Sequence, residues 1–422
     1  MKLETSTMTL WEELNWRGLV YQTTITDTSI FEQKTITFYH GFDASSDSQT
    51  IGNLAAMMLD LCLLRHGHKA IVLAGGATSL IGDPGGKDSE RVLQSMETIA
   101  HNVTCAEQQL MKIYGNYEFT LVNNIDWTCT MSVLDFLRDI GKHFNVGEMI
   151  KRDYIADRIG TGGNGISFTE FSYSLLQGLD FLHLYRTYGC TLQLGGSDQW
   201  SNCLSGVELI RKKENAEVHV ITLPLIINRA TGKKFGKSEA GAVWLSPEKT
   251  SPYEFYQFWY NVDDVSVAEY IKIFTDILPD GYDALMAEFT NNTASRGAQR
   301  FLARSVTSLV HSTDIANQTE SVSRFLFGET KLNDLKPDEL ALLLETITTV
   351  PFDPEKTLVE YLLDSRVCES KRAARELISA NAVSLNETKI TDESYVVTQS
   401  DFINNVCLIR KGKREYFGIV IN

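Results

Sequence analysis

Between Thr35 and about Leu204, short runs of β-branched and apolar residues alternate with longer stretches of helical periodicity. TITFYHGF (35–42) reads as a strand, the segment from about Ile51 to Arg65 as an apolar helix, and KAIVLAGGAT (69–78) as a second strand. A further helix precedes FTLVNNIDW (119–127), and TLQL (191–194) is another short strand. Strands that alternate with helices imply an α/β fold with a parallel sheet and crossover connections. Ligands in such sheets sit beyond the carboxyl ends of the strands, where the glycine and aspartate clusters of this chain fall. From about Cys129 to Ile166 the strands stop. SVLDFLRDIGKHFNVGEMIKRDYIADRI (132–159) reads as helical with exposed apolar positions, which suits either a pairing surface or an ordinary packed helical pair. After VHVITLPLI (218–226) comes the polar loop NRATGKKFGKSEAGA (228–242), and from Pro252 to about Phe327 the pattern is almost wholly helical. Residues 328–356 mix acids with prolines and are expected to form a linker with one short helix.

At 422 residues, 43% apolar and 22% charged, the chain has room for two or three domains and a large core. Its formal charge of −15 argues against binding nucleic acid over the whole surface, since phosphate contacts draw on Lys and Arg. Any such binding must be local. The tail from Thr357 is the place for it, with nine basic residues against nine acidic ones while the remainder carries all the excess negative charge. Its two basic clusters, ESKRAARE (369–376) and IRKGKRE (409–415), flank a β-rich stretch and suit RNA, although a solvated face would explain either one alone. The seven cysteines form no Cys-x-x-Cys pair, so neither a zinc site nor a disulfide framework is expected. The amino terminus lacks the character of a signal or transit peptide, and no apolar run approaches the roughly 20 residues of a membrane span. A cytoplasmic protein with no membrane partner is expected.

Four segments carry chemistry. AGGATSLIGDPGGKDSER (74–91) follows a strand, and its glycines let backbone N–H groups approach an anionic ligand, with Lys87 and Arg91 at its end. It contains no G-x-x-x-x-G-K-[ST] phosphate loop. In TEFSYSLLQGLDFLHLY (169–185), Tyr173, Gln177 and Asp180 recur at i, i+4 and i+7 and share one helix face. They form either a solvated stripe or the wall of a polar pocket. GGSDQWSN (195–202) sets Asp198 and Gln199 at a strand end, where an acid can hold a ribose hydroxyl. KFGKS (234–238) places Lys234 and Lys237 on a loop, where they either face solvent or close over a triphosphate and neutralise developing charge.

YHGFDASSDSQTIGNL, GGATSLIGDPGGK, NNIDW, ISFTEFSYSLLQGLDF, GGSDQWSN and KFGKS stand in the order and spacing of the bacterial type of tyrosyl-tRNA synthetase, a class I aminoacyl-tRNA synthetase. The resemblance covers nearly the whole chain, and the SKRAARE segment resembles an RNA-binding module shared with a ribosomal small-subunit protein. It implies a Rossmann-like catalytic domain over 1–224, with an inserted helical dimer-interface segment at about 129–165. A signature lysine loop and α-helical anticodon-side domain would follow over 225–327, then the linker, then a small α+β RNA-binding domain over 357–422. The implied reaction is attack of the tyrosine carboxylate on the α-phosphorus of ATP, with magnesium accompanying the ATP and no tightly bound protein metal. Transfer of the tyrosyl group to the 3' end of tRNA(Tyr) follows.

By the same resemblance, Tyr39 and Asp180 bind the phenolic hydroxyl of the substrate. Its ammonium falls to Thr78, Asp83, Tyr173 and Gln177, with Asn124 in support. Gly41, Asp43, Gly52, Gly196, Asp198 and Gln199 map to the adenosine and adenylate side, and Lys87, Arg91, Lys234 and Lys237 to the pyrophosphate. A homodimer is implied, with tRNA spanning both subunits. Arg211, Lys212, Lys371, Arg372, Arg410 and Lys411 are then candidates for tRNA contact, while the Arg211–Lys213 run also suits a helix carboxyl terminus stabilised by cations.

The chain departs from the family at one place. The family's H-I-G-H signature stands here as Thr50-Ile51-Gly52-Asn53. Asn53 keeps an N–H donor, whereas the Thr50 hydroxyl is shorter than an imidazole. Ser45 is a candidate to share its phosphate contact, and His40 is either a packing residue or a compensating one. Losing one such hydrogen bond costs about 1–3 kcal/mol, which slows an enzyme without abolishing it. A synthetase-like RNA-binding scaffold or splicing helper, with aminoacylation reduced or lost, is the alternative function. An enzyme for another aromatic amino acid conflicts with Tyr39 and Asp180 together.

Overall fold

The computed structural model describes residues 8–83, 94–160, 164–227, 241–412 and 415–421, with 229, 232, 235, 237 and 238 between them; the side chains of 153, 154, 237 and 238 fall outside that description. The chain divides into two compact units, 1–251 with 258–302, and 252–257 with 303–422.

A six-stranded sheet forms the centre of the first unit. Its strands are β1 (Gln22–Thr23), β2 (Thr37–Phe42), β3 (Lys69–Ala74), β4 (Phe119–Asn123), β5 (Leu192–Gly196) and β6 (His219–Leu223), in the order β1-β6-β5-β2-β3-β4. Every pairing is parallel except that of the edge strand β1 with β6. Ala70 to Ala74 is buried without a break, so β3 reads as a continuous apolar run and not an alternating one. From β2 the chain proceeds outward through β3 and β4 on one side and later returns through β5 and β6 on the other. The order therefore reverses between β2 and β5, and the crevice beyond their carboxyl ends is the expected ligand site.

Five helices matter for that crevice: α1 (Leu10–Arg17), α2 (Ile51–Arg65), α3 (Met96–Tyr114), α4 (Phe168–Tyr188) and α5 (Trp200–Glu214). Helix α2 runs over the span its periodicity predicts and buries eleven of its fifteen residues. The start of α4 is fixed by a capping box between Ser167 and Glu170, and Arg158 braces Glu170 at 3.0 Å. Gly189, at φ 64°, ends it. Arg17 at the end of α1 is buried and donates to the carbonyls of Lys272, Thr275 and Ile277, besides pairing with Glu13. Between β4 and β5 the expected insertion is a series of short helical turns from Ile125–Thr128 to Asp153–Ile159. It leaves Val133 and Leu134 about three-quarters exposed.

The second unit contains a five-stranded sheet made of β7 (Thr348–Pro351), β8 (Val383–Leu385), β9 (Thr388–Lys389), β10 (Val406–Lys411) and β11 (Glu415–Val420). Their order is β9-β8-β10-β11-β7, and only β7 runs parallel to its neighbour. The segment 328–356, expected as a linker, supplies β7 and the helix Pro337–Thr346. Leu332, Leu335, Leu340 and Leu343 share a buried cluster with Val322, Phe325, Val406 and Leu408. Pro337 and Glu339 are helix-start chemistry: Pro337 occupies the first turn, and the Lys336 N–H donates to Glu339 at 2.8 Å.

Candidate active site

A cleft of about 300 Å³ opens beyond the carboxyl ends of β2 and β5. Of the residues singled out in the sequence, Tyr39, His40, Gly41, Asp43, Ser45, Asn53, Thr78, Asp83, Tyr173, Gln177, Asp180, Gly196 and Gln199 line it. They come from β2, the start of α2, the turn after β3, α4 and the β5–α5 connection. The pattern on α4 is thereby resolved, since Tyr173, Gln177 and Asp180 wall a polar pocket. His40 donates through Nδ1 to the wholly buried Asp60 of α2 at 2.9 Å, and the Tyr114 hydroxyl donates to the same Asp60 oxygen.

Asp180 lies at its floor, 3% exposed. Asn124 Nδ2 donates to one carboxylate oxygen and Trp127 Nε1 to the other, each at 2.9 Å. Burial outweighs these two donors and pushes the carboxyl up to about 7, from an ordinary value near 3.8. Tyr39, packed 5.2 Å from the Phe181 ring, also lines the cleft, and its buried hydroxyl has no hydrogen-bond partner. Burial and the nearby Cys203 and Asp180 drive its ionisation well above the ordinary range, so the phenol is neutral.

Asn124 is wholly buried and organises this end of the site. Its Oδ1 accepts from the Ala77 N–H at 2.7 Å, and its Nδ2 also reaches Thr78 Oγ1 at 3.3 Å. On the opposite wall Gln199 donates to Asp83 at 2.7 Å and accepts from Asn202 at 3.2 Å. The Tyr173 hydroxyl approaches Asp43 at 3.4 Å. Gly75 allows this convergence: a Cβ there would collide with Thr78 Oγ1 and stand 3.1 Å from Asp43 Oδ1. The glycines of this turn thus serve close approach between side chains.

At the start of α2, Thr50 and Asn53 are engaged with each other. The Thr50 N–H donates to Asn53 Oδ1 at 3.0 Å, and the Thr50 hydroxyl donates to the same oxygen at 2.8 Å. Asn53 lines the cleft and Thr50 does not; Thr50 instead bridges to Trp244, and the next N–H, that of Ile51, donates to the Val243 carbonyl. Asp198 sits in the turn after β5, beside the position a Gly196 side chain would need. Lys87, Arg91 and Lys234 lie outside the described residues, and Lys237 is described in its backbone only. Phe235 of that loop is buried against Phe258, Trp259, Tyr270 and Phe274.

The candidate tRNA contacts are mostly tied to neighbours. Arg211 pairs with Glu208, Lys371 with Glu360 and Arg372 with Glu376, while Lys212 donates to the His143 carbonyl. Lys411 pairs with Glu415 and donates to the Val367 carbonyl, and Arg410 Nε is buried without a partner. Three contributors went unrecognised in the sequence. Trp127 lay inside the NNIDW motif, but its indole donor to Asp180 had no local signal. Gln193 and Cys203 also line the cleft. Among the described residues no group of three or more His, Cys, Asp or Glu is arranged to hold a metal ion.

A family model described as class I tRNA synthetases for tryptophan and tyrosine matches residues 32–328, and one described as a tyrosine-tRNA ligase SYY-like C-terminal domain matches 339–419. The tyrosine-tRNA ligase of Listeria monocytogenes serotype 4b (strain F2365) is 45% identical over 420 residues, covering 97% of this chain and 99% of that one. This chain belongs to the class I tyrosyl-tRNA synthetases. Tyrosine-tRNA ligase 1 of Enterococcus faecalis (strain TX4000 / JH2-2) is 42% identical over 417 residues, 97% of this chain and 99% of that one. Among solved structures, a C-terminally truncated Aspergillus nidulans mitochondrial tyrosyl-tRNA synthetase superposes with a TM-score of 0.69 at 28% identity. It covers 77% of this chain and 96% of that one. The Archaeoglobus fulgidus tyrosyl-tRNA synthetase complexed with L-tyrosine shares the fold, with a TM-score of 0.54 at 16% identity over 74% of this chain and 99% of that one. The sequence resemblance to tyrosyl-tRNA synthetases and the mixed α/β architecture both stand.

Proposed function

We propose that this synthetase activates L-tyrosine with ATP to tyrosyl-adenylate and transfers the tyrosyl group to the 3' end of tRNA(Tyr). The observation that carries this reading is the pair at the floor of the cleft: a Tyr39 hydroxyl buried without a partner, and Asp180 held by two donors on the same lining. A substrate phenol donates to the carboxylate and meets the Tyr39 hydroxyl. Phenylalanine would leave the Tyr39 hydroxyl unpaired and would give Asp180 no donor of its own, which is why a site of this kind rejects the analogue lacking the hydroxyl by about 10⁴–10⁵ without editing. Asp83, Thr78, Tyr173 and Gln177 suit the ammonium, and Asn124 positions Thr78 and Asp180 together. Asp43, Gly41, Gly52, Gly196, Asp198 and Gln199 serve the nucleotide side.

The tyrosine carboxylate is already ionised and needs no general base. It attacks the α-phosphorus, a new C–O–P bond forms, and pyrophosphate departs. Catalysis is then positioning together with charge stabilisation. Lys87, Arg91, Lys234 and Lys237 are proposed to gather around the pyrophosphate, with magnesium entering as part of the ATP substrate. The ribose hydroxyl of the tRNA terminus next attacks the activated carbonyl, and adenylate leaves. The exposed Val133, Leu134 and Leu137 suit a homodimer interface, and the second unit, with Lys371, Arg372, Arg410 and Lys411, suits the tRNA. No helix among the described residues is long and apolar enough to cross a membrane, and action in the cytoplasm is proposed.

Tyrosine-dependent ATP–pyrophosphate exchange with purified protein tests the reading. Exchange is expected with tyrosine and not with phenylalanine. Its absence under all conditions, alongside RNA binding that needs no ATP, would instead favour the scaffold function.

A further inference from the structure

The two donors to Asp180 are held in place by different means. Asn124 is wholly buried and anchored through its Oδ1 to the Ala77 N–H at 2.7 Å. Trp127 stands on a single turn of helix, Ile125–Thr128, and is only partly buried. It does not line the cleft but reaches its floor from behind, through Nε1 to Asp180 Oδ1. An indole held by one hydrogen bond at its edge can pivot about that bond unless its face is held as well. The ring also borders a second cavity, of about 400 Å³, bounded by Val103 of α3, Leu121 and Val122 of β4, and Tyr188.

His183 supplies that second hold. Its imidazole lies flat on the indole, with ring centroids 4.2 Å apart and planes 11° from parallel. Asp180 and His183 are three residues apart on α4 and so are neighbours on the helix surface. The helix thereby grips one side chain twice, Asp180 at the N–H edge and His183 across the face. His183 lines the second cavity too, so removing its imidazole would extend that cavity over the indole and give the ring room to turn. Burial, and then the charge of Arg186 on the same helix, hold His183 below its ordinary value, and the ring is neutral at pH 7. Asp126 and Tyr188 line the same cavity, and Thr187 Oγ1 lies 3.4 Å from His183 Nε2. A neutral ring contributes stacking without bringing a second charge near Asp180.

We propose that His183 is a positioning residue for tyrosine selection, which lies outside the cleft and acts by stacking on Trp127 so that the indole N–H stays on Asp180. His183 fixes the ring, the ring fixes the donor, and the donor sets how readily Asp180 ionises to accept the substrate phenol. With Trp127 turned away, Asn124 alone would offset burial, and the Asp180 carboxyl would rise further from its value of about 7. More of the empty site would then carry a proton where the substrate hydroxyl has to donate. Tyrosine would bind more weakly at neutral pH, whereas phenylalanine, which makes no use of the carboxylate, would bind as before.

The inference rests on the tyrosine site proposed above, and the test separates the two. Full-length protein is titrated with tyrosine and with phenylalanine without ATP, and is assayed by ATP–pyrophosphate exchange. His183→Ala should weaken tyrosine about tenfold in both measurements, with kcat and the KM for ATP kept within about twofold and phenylalanine unaffected. The pH up to which tyrosine binding releases a proton, read by calorimetry in buffers of different ionisation enthalpy, should move upward, a change that a purely structural role would not produce. His183→Phe keeps a flat ring and should stay within about threefold of wild type. In a Trp127→Phe background, which has no N–H to hold, His183→Ala should add less than about twofold. His183→Leu replaces His183→Ala if the latter does not fold. Unchanged tyrosine affinity in His183→Ala, an undiminished loss in the Trp127→Phe background, or a parallel loss toward ATP would overturn the inference alone. A folded wild type that prefers tyrosine to phenylalanine but shows no exchange would overturn the activation reading alone. No preference between the two amino acids would overturn both.

Discussion

Asp180 shows how one side chain can be poor for stability and good for selection. Its carboxyl is raised to about 7, so the ligand-free folded protein binds a proton that the unfolded chain has already lost above about pH 4. This group's contribution is therefore most favourable at low pH, weakens as pH rises from about 4 to 7, and stays unfavourable above. Asp180→Asn should raise the melting temperature of the ligand-free protein at pH 8 by the equivalent of about 1–3 kcal/mol, with the gain vanishing near pH 4. The same variant should lower kcat/KM for tyrosine by at least about a hundredfold. Because Asn124 and Trp127 already donate to both oxygens, a third donor from the substrate favours the ionised carboxylate. Tyrosine binding near pH 7 should release a proton, seen in calorimetry as a heat that depends on the buffer's ionisation enthalpy; a buffer-independent heat would contradict this. At this scale the sequence was informative about Tyr39 and Asp180, through motif spacing. It was silent on Trp127 and on Asp60, because a donor reached across 53 residues and a partner reached across 20 leave no periodic trace.

At the scale of elements, close packing between α4 and α5 fixes the ring that backs Tyr39 in the cleft. A Cβ on Gly206 of α5 would lie 2.7 Å and 2.8 Å from atoms of Phe181, the ring against which Tyr39 rests. Gly206→Ala should cost about 1–3 kcal/mol in denaturant unfolding and should raise KM for tyrosine more than KM for ATP, as Phe181 is pushed toward Tyr39. At the start of α2, Thr50→Ala removes a hydroxyl that donates to Asn53, and a loss of about 0.5–2 kcal/mol is expected by the same measurement. The strands and α2 were legible because each is a long apolar run bounded by polar turns. The segment 328–356 was legible only in its one short helix, and not in its strand β7 or its place in a buried cluster. Proline and acidic residues signal both linkers and helix starts, and only Leu332, Leu335, Leu340 and Leu343, buried together, decide between them.

For the molecule as a whole, the same leucines determine where it can be shortened. Ending the chain at 328, where the first family match stops, would strip Val322 and Phe325 of Leu340, Leu343 and Leu408. Such a truncation should retain pyrophosphate exchange, lose transfer to tRNA, and aggregate more readily than the full chain, which light scattering on heating would report. The concentration of basic residues in the tail also predicts a tRNA affinity that falls steeply with salt, while tyrosine binding hardly changes. The overall parallel sheet and the helical stretch after it were readable from alternation alone. Their division into compact units was not, because the boundary falls inside helices at 257 and 302 and leaves no break in composition.

The His40, Asp60 and Tyr114 array constrains the order in which such a site can arise. A carboxylate introduced into the apolar face of α2 before either neighbour was present would be buried with no donor at all, and the protein would pass through a poorly folded ancestor. A histidine on β2, or a tyrosine at the end of α3, is tolerable by itself. The passable history therefore does not begin with Asp60. Reversal is equally ordered, since His40→Ala alone should be harder for the fold to bear than Asp60→Leu followed by His40→Ala.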